Sequence, residues 1–239
     1  GNNQVSFRNT LLQFTIQHNN DKLIMTKQMQ HKLASVIANI SKRQVPQQWP
    51  TFVSDLISLS SYGSDQYGKT ALLNITVLTF SSLLEDCLVS DFQHGMPIQR
   101  KQEIVSSIRE NFKTILQFAY GVIYEYATQV MSNKQEDFIQ QYLNSAESLV
   151  NNTVNMLISL ITLSDNPNEI CSYSHNNVDF IHMIIQCISL PSFQEVSCLF
   201  LQAISANVNV LEYGVLCRML VQLPQCSLVT TSVSEYSEQ

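Results

Sequence analysis

Apolar residues return every third or fourth position along most of this chain, and little interrupts them: there are six glycines and six prolines in 239 residues. An all-β protein needs a turn signal every ~8 to 12 residues. Spacings of three and four are instead the pattern of an α-helix with one buried face. Long helices joined by short turns are expected, as either a bundle or an α-solenoid. Several segments are apolar on more than one side, as when a helix buries one face on its partner and others on neighbouring pairs. The pairs recur every ~40 residues or more, without a crisp sequence repeat. The expected fold is all-α: an α-solenoid of HEAT-like antiparallel helix pairs, an ARM-repeat-like superhelix.

Individual helices can be placed from caps and breakers. From Asp21, read as an N-cap, the residues Met25, Met29, Leu33, Val36, Ile37 and Ile40 form one stripe that stops near Gln44. Pro46 and Pro50 forbid its continuation, because each lacks an amide proton and biases the preceding residue away from the α region. Pro50 suits the first turn of the next helix, through Phe52, Val53, Leu56, Ile57 and Leu59. Tyr62 to Asp65 reads as a turn, Gln66 to Leu88 as a helix, and Gln93 to Pro97 as a break. One long helix is then expected over 98 to about 129, with Ile104, Ile108, Phe112, Ile115, Leu116, Tyr120 and Ile123 inward and Gly121 as its bending point. Further helices are expected over 135–163, 178–189, 191–206 and 210–223. The solenoid segment is thus read as 1–226, and the polar stretch 227–239 as a frayed tail.

Composition excludes several classes. No stretch reaches the ~18 consecutive apolar residues needed to cross a bilayer, so no membrane insertion is expected. The start Gly1-Asn2-Asn3-Gln4 carries neither an initiator Met nor a signal peptide and reads as a cut end. The six cysteines, Cys87, Cys171, Cys187, Cys198, Cys217 and Cys226, form no CxxC pair and have no His at zinc spacing. Buried reduced thiols and a reducing compartment are expected. Asn39, Asn74 and Asn151 begin glycosylation sequons but lie inside expected helices, which gives them no weight. The formal charge is −6, whereas phosphate recognition needs a concentrated surplus of Lys and Arg.

Catalytic patterns are lacking. The histidines His18, His31, His94, His175 and His182 are scattered, and no phosphate-binding glycine loop or nucleophile elbow occurs. No catalytic residue, metal site or cofactor is expected, and the chain reads as a binding protein and not as an enzyme.

One segment is distinctive. Between two amphipathic helices stands Lys42-Arg43-Gln44-Val45-Pro46-Gln47-Gln48-Trp49-Pro50. Trp49 with its prolines fills and directs a corner between helices, a structural task. Lys42 and Arg43 fall at a helix C-terminus, where the dipole favours cations by ~0.3 to 1 kcal/mol, so capping is the simpler reading and a partner contact the alternative. Arg100, Lys101, Arg109 and Lys113 make the best basic strip available. Glu103 and Glu110 interrupt it, so a solvated helix face is the simpler reading there and a phosphate-binding surface the alternative.

The segment resembles the N-terminal exportin-type domain of the importin-β (karyopherin) superfamily, whose pattern Lys-Arg-x-x-Pro-x-x-Trp-Pro is met at Lys42, Arg43, Pro46, Trp49 and Pro50. It departs at Val45, where the family more often has Trp. Gly95 to Ile104, followed by Ile108 and Asn111-Phe112, is similar to a segment of the exportin-5 and HASTY-type branch. The two motifs anchor residues 8 to 125, and the exportin-type domain is placed at about 8–150. The resemblance implies a nuclear export receptor that shuttles between nucleus and cytoplasm past nucleoporins. Its implied partners are Ran-GTP and structured RNA (precursor microRNA or tRNA), with protein cargo or an unrelated HEAT scaffold as alternatives. Lys42, Arg43, Arg100, Lys101, Arg109 and Lys113 are the partner-contact candidates; Pro46, Trp49 and Pro50 are the structural core of the motif.

Overall fold

The computed structural model describes residues 2–20, 26–88, 96–132, 137–163 and Phe193. The chain forms two compact units, Gly1–Ser159 and Leu160–Gln239. In the second, Leu160 to Leu163 complete a helix, and Phe193 is helical and fully buried. The helices expected over 178–189, 191–206 and 210–223, the tail 227–239 and every cysteine except Cys87 otherwise lie outside the described residues.

The described elements are α1 (Asn2–Asn20), α2 (Lys27–Gln44), α3 (Phe52–Leu59), a 3-10 turn at Ser60–Tyr62, α4 (Gln66–Leu88), α5 (Ile98–Glu110), α6 (Phe112–Ser132) and α7 (Asp137–Leu163). No strand occurs among the described residues. The first unit is an all-α, HEAT-like stack, in agreement with the periodicity.

α4 is its central element. It packs against α1, α2, α3 and α5, and every residue from Leu72 to Val77 is buried. At a mean hydropathy of 1.4 it is long and apolar enough to cross a bilayer by length and composition. Its polar groups are nevertheless spoken for inside the stack: Thr76 Oγ1 donates to the Leu56 carbonyl at 2.9 Å and Thr79 Oγ1 to that of Ile75 at 2.7 Å. A helix buried on several sides needs no polar face, so hydropathy alone does not separate it from a membrane span. Its start is fixed by Asp65, whose Oδ1 accepts the Gly68 amide at 2.7 Å. Just before it, a Cβ on Gly63 would stand 2.5 Å from the Lys69 backbone nitrogen, so only glycine lets the turn lie this close to the helix.

α4 and α6 run antiparallel: Gln66 reaches Gln129, Lys69 pairs with Glu125 at 2.9 Å, and Thr70 meets the Tyr126 hydroxyl at 3.3 Å. A second cross-link is made of amides. Asn74 Nδ2 donates to Gln30 Oε1 at 2.6 Å, and Asn152 Nδ2 donates to Asn74 Oδ1 at 2.8 Å, so one chain of side chains joins α2, α4 and α7.

Two expectations fail. The N-cap of α2 is Thr26, whose hydroxyl accepts the Met29 amide at 3.3 Å; Asp21 and Met25 lie outside the described residues. The buried face of α2 is Gln30, Ala34, Ile37, Ala38, Ser41 and Gln44. Among the described residues of the expected stripe only Ile37 is fully buried, while Met29 and Val36 are 40% and 42% exposed. Close packing on α4 favours small residues and paired amides, which a search for large apolar side chains overlooks.

The long helix expected over 98 to about 129 is two helices, broken at Asn111, and the second runs on without a break through Gly121. Asn111 leaves helical geometry (φ −102°, ψ 9°), and its Nδ2 donates to the Ser107 carbonyl at 2.9 Å. An asparagine side chain competes with the backbone ladder in this way and ends helices. Its carbonyl accepts the Ile115 amide at 3.1 Å, so α6 starts at once. Ile104, Ile108, Ile115, Leu116, Tyr120 and Ile123 are buried as expected, whereas Phe112, at the break, is only half-buried.

Candidate functional site

The corner between α2 and α3 gathers the most specific chemistry in the first unit. At the end of α2 the Val45 amide donates to the Ser41 carbonyl at 2.9 Å, and the amides of Gln48 and Trp49 both donate to Gln44 at 2.7 and 3.0 Å. These bonds close the helix and turn the chain, with a cis Val45–Pro46 peptide bond in between. Val45, the departure from the family pattern, is completely buried and fills its place with a smaller side chain.

Trp49 is also fully buried. Its Nε1 donates to Asp55 Oδ2 at 2.7 Å, and the Thr51 hydroxyl donates to the same oxygen at 2.9 Å, which ties the indole to the first turn of α3. The ring meets Phe52 edge-on at 5.0 Å, and Phe52 meets Phe80 of α4 at 5.7 Å. Such edge contacts contribute about 0.5–1.5 kcal/mol beyond area burial. Over the other side of the ring lies Arg8 of α1, its guanidinium carbon 4.9 Å from the ring centroid, while its Nη1 donates to the Gln48 carbonyl at 3.2 Å. Pro50 precedes the first residue of α3 by two positions and, with Pro46, fixes the path past the tryptophan.

Arg100 of α5 holds the corner from the opposite end. Its Nε donates to the Lys42 carbonyl at 2.7 Å, satisfying an acceptor that the end of α2 would leave open. Its Nη1 donates to Gln47 Oε1 and to Glu103 Oε2, both at 2.7 Å, and Gln47 Nε2 donates back to Glu103 at 2.9 Å. Hydrogen bonds from Arg100 and then from Gln47 hold the Glu103 carboxyl below its usual pKa.

The partner-contact candidates are thus dispersed. Lys42 is half-buried, ion-paired with Asp86 of α4 and bonded to Asn39 Oδ1 at 3.0 Å. Arg43, beside it, is exposed. Arg100 is engaged within the fold, and Lys101 is half-buried next to it. Arg109 and Lys113, exposed, flank the Asn111 break on different helices, which corrects the expectation that all four lie on one. Nine residues separate Arg109 from Arg100, about two and a half turns at ~3.6 residues per turn, so the two leave α5 on opposite sides.

An open groove of about 410 Å³ runs between Pro46 and α5, lined by Gln99, Gln102, Glu103, Ser106 and Glu110. Amides, the hydroxyls of Ser106 and Ser107 and two carboxylates make it hostile to phosphate. Among the described residues no group of His, Cys, Asp and Glu is placed to hold a metal ion. Cys87 is free, and burial first, with Asp86 adding, pushes its thiol up to about 11 against partial relief from Lys101 and Lys42. A protonated, half-buried thiol is a poor nucleophile.

Asp55, Arg8 and the Gln30–Asn74–Asn152 chain were not visible as functional groups in the sequence. Asp55 carried a weak local signal as an acid in the first turn of a helix. Arg8 carried none.

Comparison with known proteins bears on the same stretch. No curated protein and no solved structure matches the chain. The family model of exportin 1-like proteins matches residues 26–201, which include the whole corner, α2 to α7 and the groove. That match spans most of the sequence, and the chain belongs to the exportin 1-like family of karyopherin-type transport receptors, which are not enzymes.

Proposed function

We propose that this chain acts in nuclear export as a receptor of the exportin-5 and HASTY-type branch, binding Ran-GTP together with structured RNA such as precursor microRNA or tRNA. It would shuttle past nucleoporins and release both ligands in the cytoplasm. The observation that carries the reading is the family match over residues 26–201, which includes the Lys42 to Pro50 corner. Branch and cargo rest on the similarity of residues 95–112 to that group. The mechanism is coupled binding: Ran-GTP and cargo favour the same arrangement of helix pairs, so each raises the affinity for the other without a chemical step. Arg43 and Lys113, both exposed, with Lys101 and Arg109, are the cations proposed to meet partners.

The test is co-precipitation from purified components. Structured RNA retained by the intact protein with Ran-GTP, and lost with Ran-GDP, is the expected result. Retention that ignores the nucleotide on Ran, or no Ran binding at all, would sink the proposal. A second reading, a karyopherin with protein cargo, is favoured by the net charge of −6 and by the internal engagement of Lys42, Lys69 and Arg100. Ran-GTP-dependent capture of protein without RNA would support it.

A further inference from the structure

One face of α2 is used neither by the corner nor by the packing on α4. Met29, Leu33, Val36 and Ile40 follow one another at spacings of four, three and four and so share a side of the helix. Met29 and Val36 are 40% and 42% exposed, and Leu33 and Ile40 are half-buried beside them. The ridge runs three turns, ~16 Å at ~1.5 Å per residue. Large apolar side chains left this exposed along a helix cost solubility unless something covers them.

The charges around the ridge indicate what kind of segment that is. In a chain of net charge −6, α2 carries Lys27, Lys32, Lys42 and Arg43 and no Asp or Glu. Lys42 is turned to Asp86, but Lys32 and Arg43 are exposed. Lys32 stands three residues after Met29 and four before Val36; Arg43 stands three after Ile40 and seven after Val36, so both border the ridge. We propose that this face docks an acidic amphipathic helix of a partner protein, which lays apolar residues on Met29, Val36 and Ile40 and sets Asp or Glu against Lys32 and Arg43. An RNA backbone would use the two cations but has no use for the apolar ridge. A second copy of α2 would bring like charges together across a two-fold contact, which costs affinity. The proposal shares Arg43 with the cargo reading above, while Lys32 and the apolar ridge belong to it alone.

The experiment uses the full chain and two labelled helical peptides of about four turns. One carries Leu at i, i+3, i+4 and i+7 with flanking Glu; its twin has Lys in place of Glu. Fluorescence anisotropy is expected to show the acidic peptide binding and the basic twin not. Met29→Ser with Val36→Ser, and separately Lys32→Glu with Arg43→Glu, should each weaken binding about tenfold or more. These four side chains are exposed or rim positions, so unchanged thermal melting is the folding control. The charge-reversed variant should in turn accept the basic twin, a gain that a misfolded protein cannot give. No binding of the acidic peptide, or binding that ignores both variants, overturns the proposal. So does a dimer in light scattering that dissolves in the Ser variant, which gives the face to a second copy. Binding of an RNA hairpin that needs Lys32 and Arg43 but not Met29 and Val36, without peptide binding, overturns it in favour of RNA.

Discussion

Trp49 holds three helices through one side chain: a hydrogen bond to Asp55 of α3, an aromatic edge leading to Phe80 of α4, and a face under Arg8 of α1. Trp49→Phe keeps most of the packing and removes the donor to Asp55, with an expected loss of about 1–3 kcal/mol. Trp49→Ala, which also empties the site, should lose about 3–5 kcal/mol; urea unfolding followed by circular dichroism measures both. Gly63→Ala places a methyl 2.6 Å from the Lys69 Cα, a backbone atom that cannot step aside. A loss of about 1–3 kcal/mol and a lower thermal midpoint are expected. At Cys87 the pKa of about 11 lies above the ordinary thiol value of 9.0. Its folded-state pKa is raised, so its contribution to stability is present below about 9 and is lost as pH climbs towards about 11. Alkylation of Cys87, followed by peptide mass spectrometry, should therefore stay slow at neutral pH and rise steeply only above pH 9. Fast labelling at pH 7 would contradict that account.

Among elements, the amide chain from Gln30 through Asn74 to Asn152 does what an apolar contact cannot, because it is satisfied in only one register of α2, α4 and α7. Asn74→Leu should cost about 2 kcal/mol or more by stranding two amides, and replacing all three by Leu should cost less than the three single losses added together. Denaturant midpoints of the four variants decide it. The chain was invisible in the sequence, since a polar residue on a helix is usually solvated and its partners here lie 44 and 78 residues away. The bounds of α3 and α4 were legible because their punctuation is local: Pro50 before one, Gly63 and Asp65 before the other. Asn111 was not, because an asparagine inside an apolar rhythm looks neutral until its side chain bonds Ser107. The face of α2 was misread for a related reason. Periodicity ranks large apolar residues first, while the packed side is built from Ala34, Ala38 and Ser41.

For the first unit as a whole, the corner could be read from Pro46, Trp49 and Pro50 because those residues act within five positions of one another. The cations that complete it could not, since Arg100 finds the Lys42 carbonyl from 58 residues away. The chain contains a single tryptophan, and it lies at this junction. The protein therefore carries an intrinsic fluorophore that reports on the docking of α1, the closure of α2 and the seating of α3, with no second indole to obscure it. On unfolding, the emission should shift to the red as water reaches the ring. Arg8→Ala should change the intensity in the folded state while leaving the helical circular dichroism intact, since it removes the cation above the ring and one hydrogen bond to the Gln48 carbonyl, and no backbone bond within a helix. An emission spectrum unmoved by that substitution would mean that α1 does not rest on the indole in solution. The same signal offers a way to watch, in real time and without a label, whether a bound partner tightens or loosens the corner.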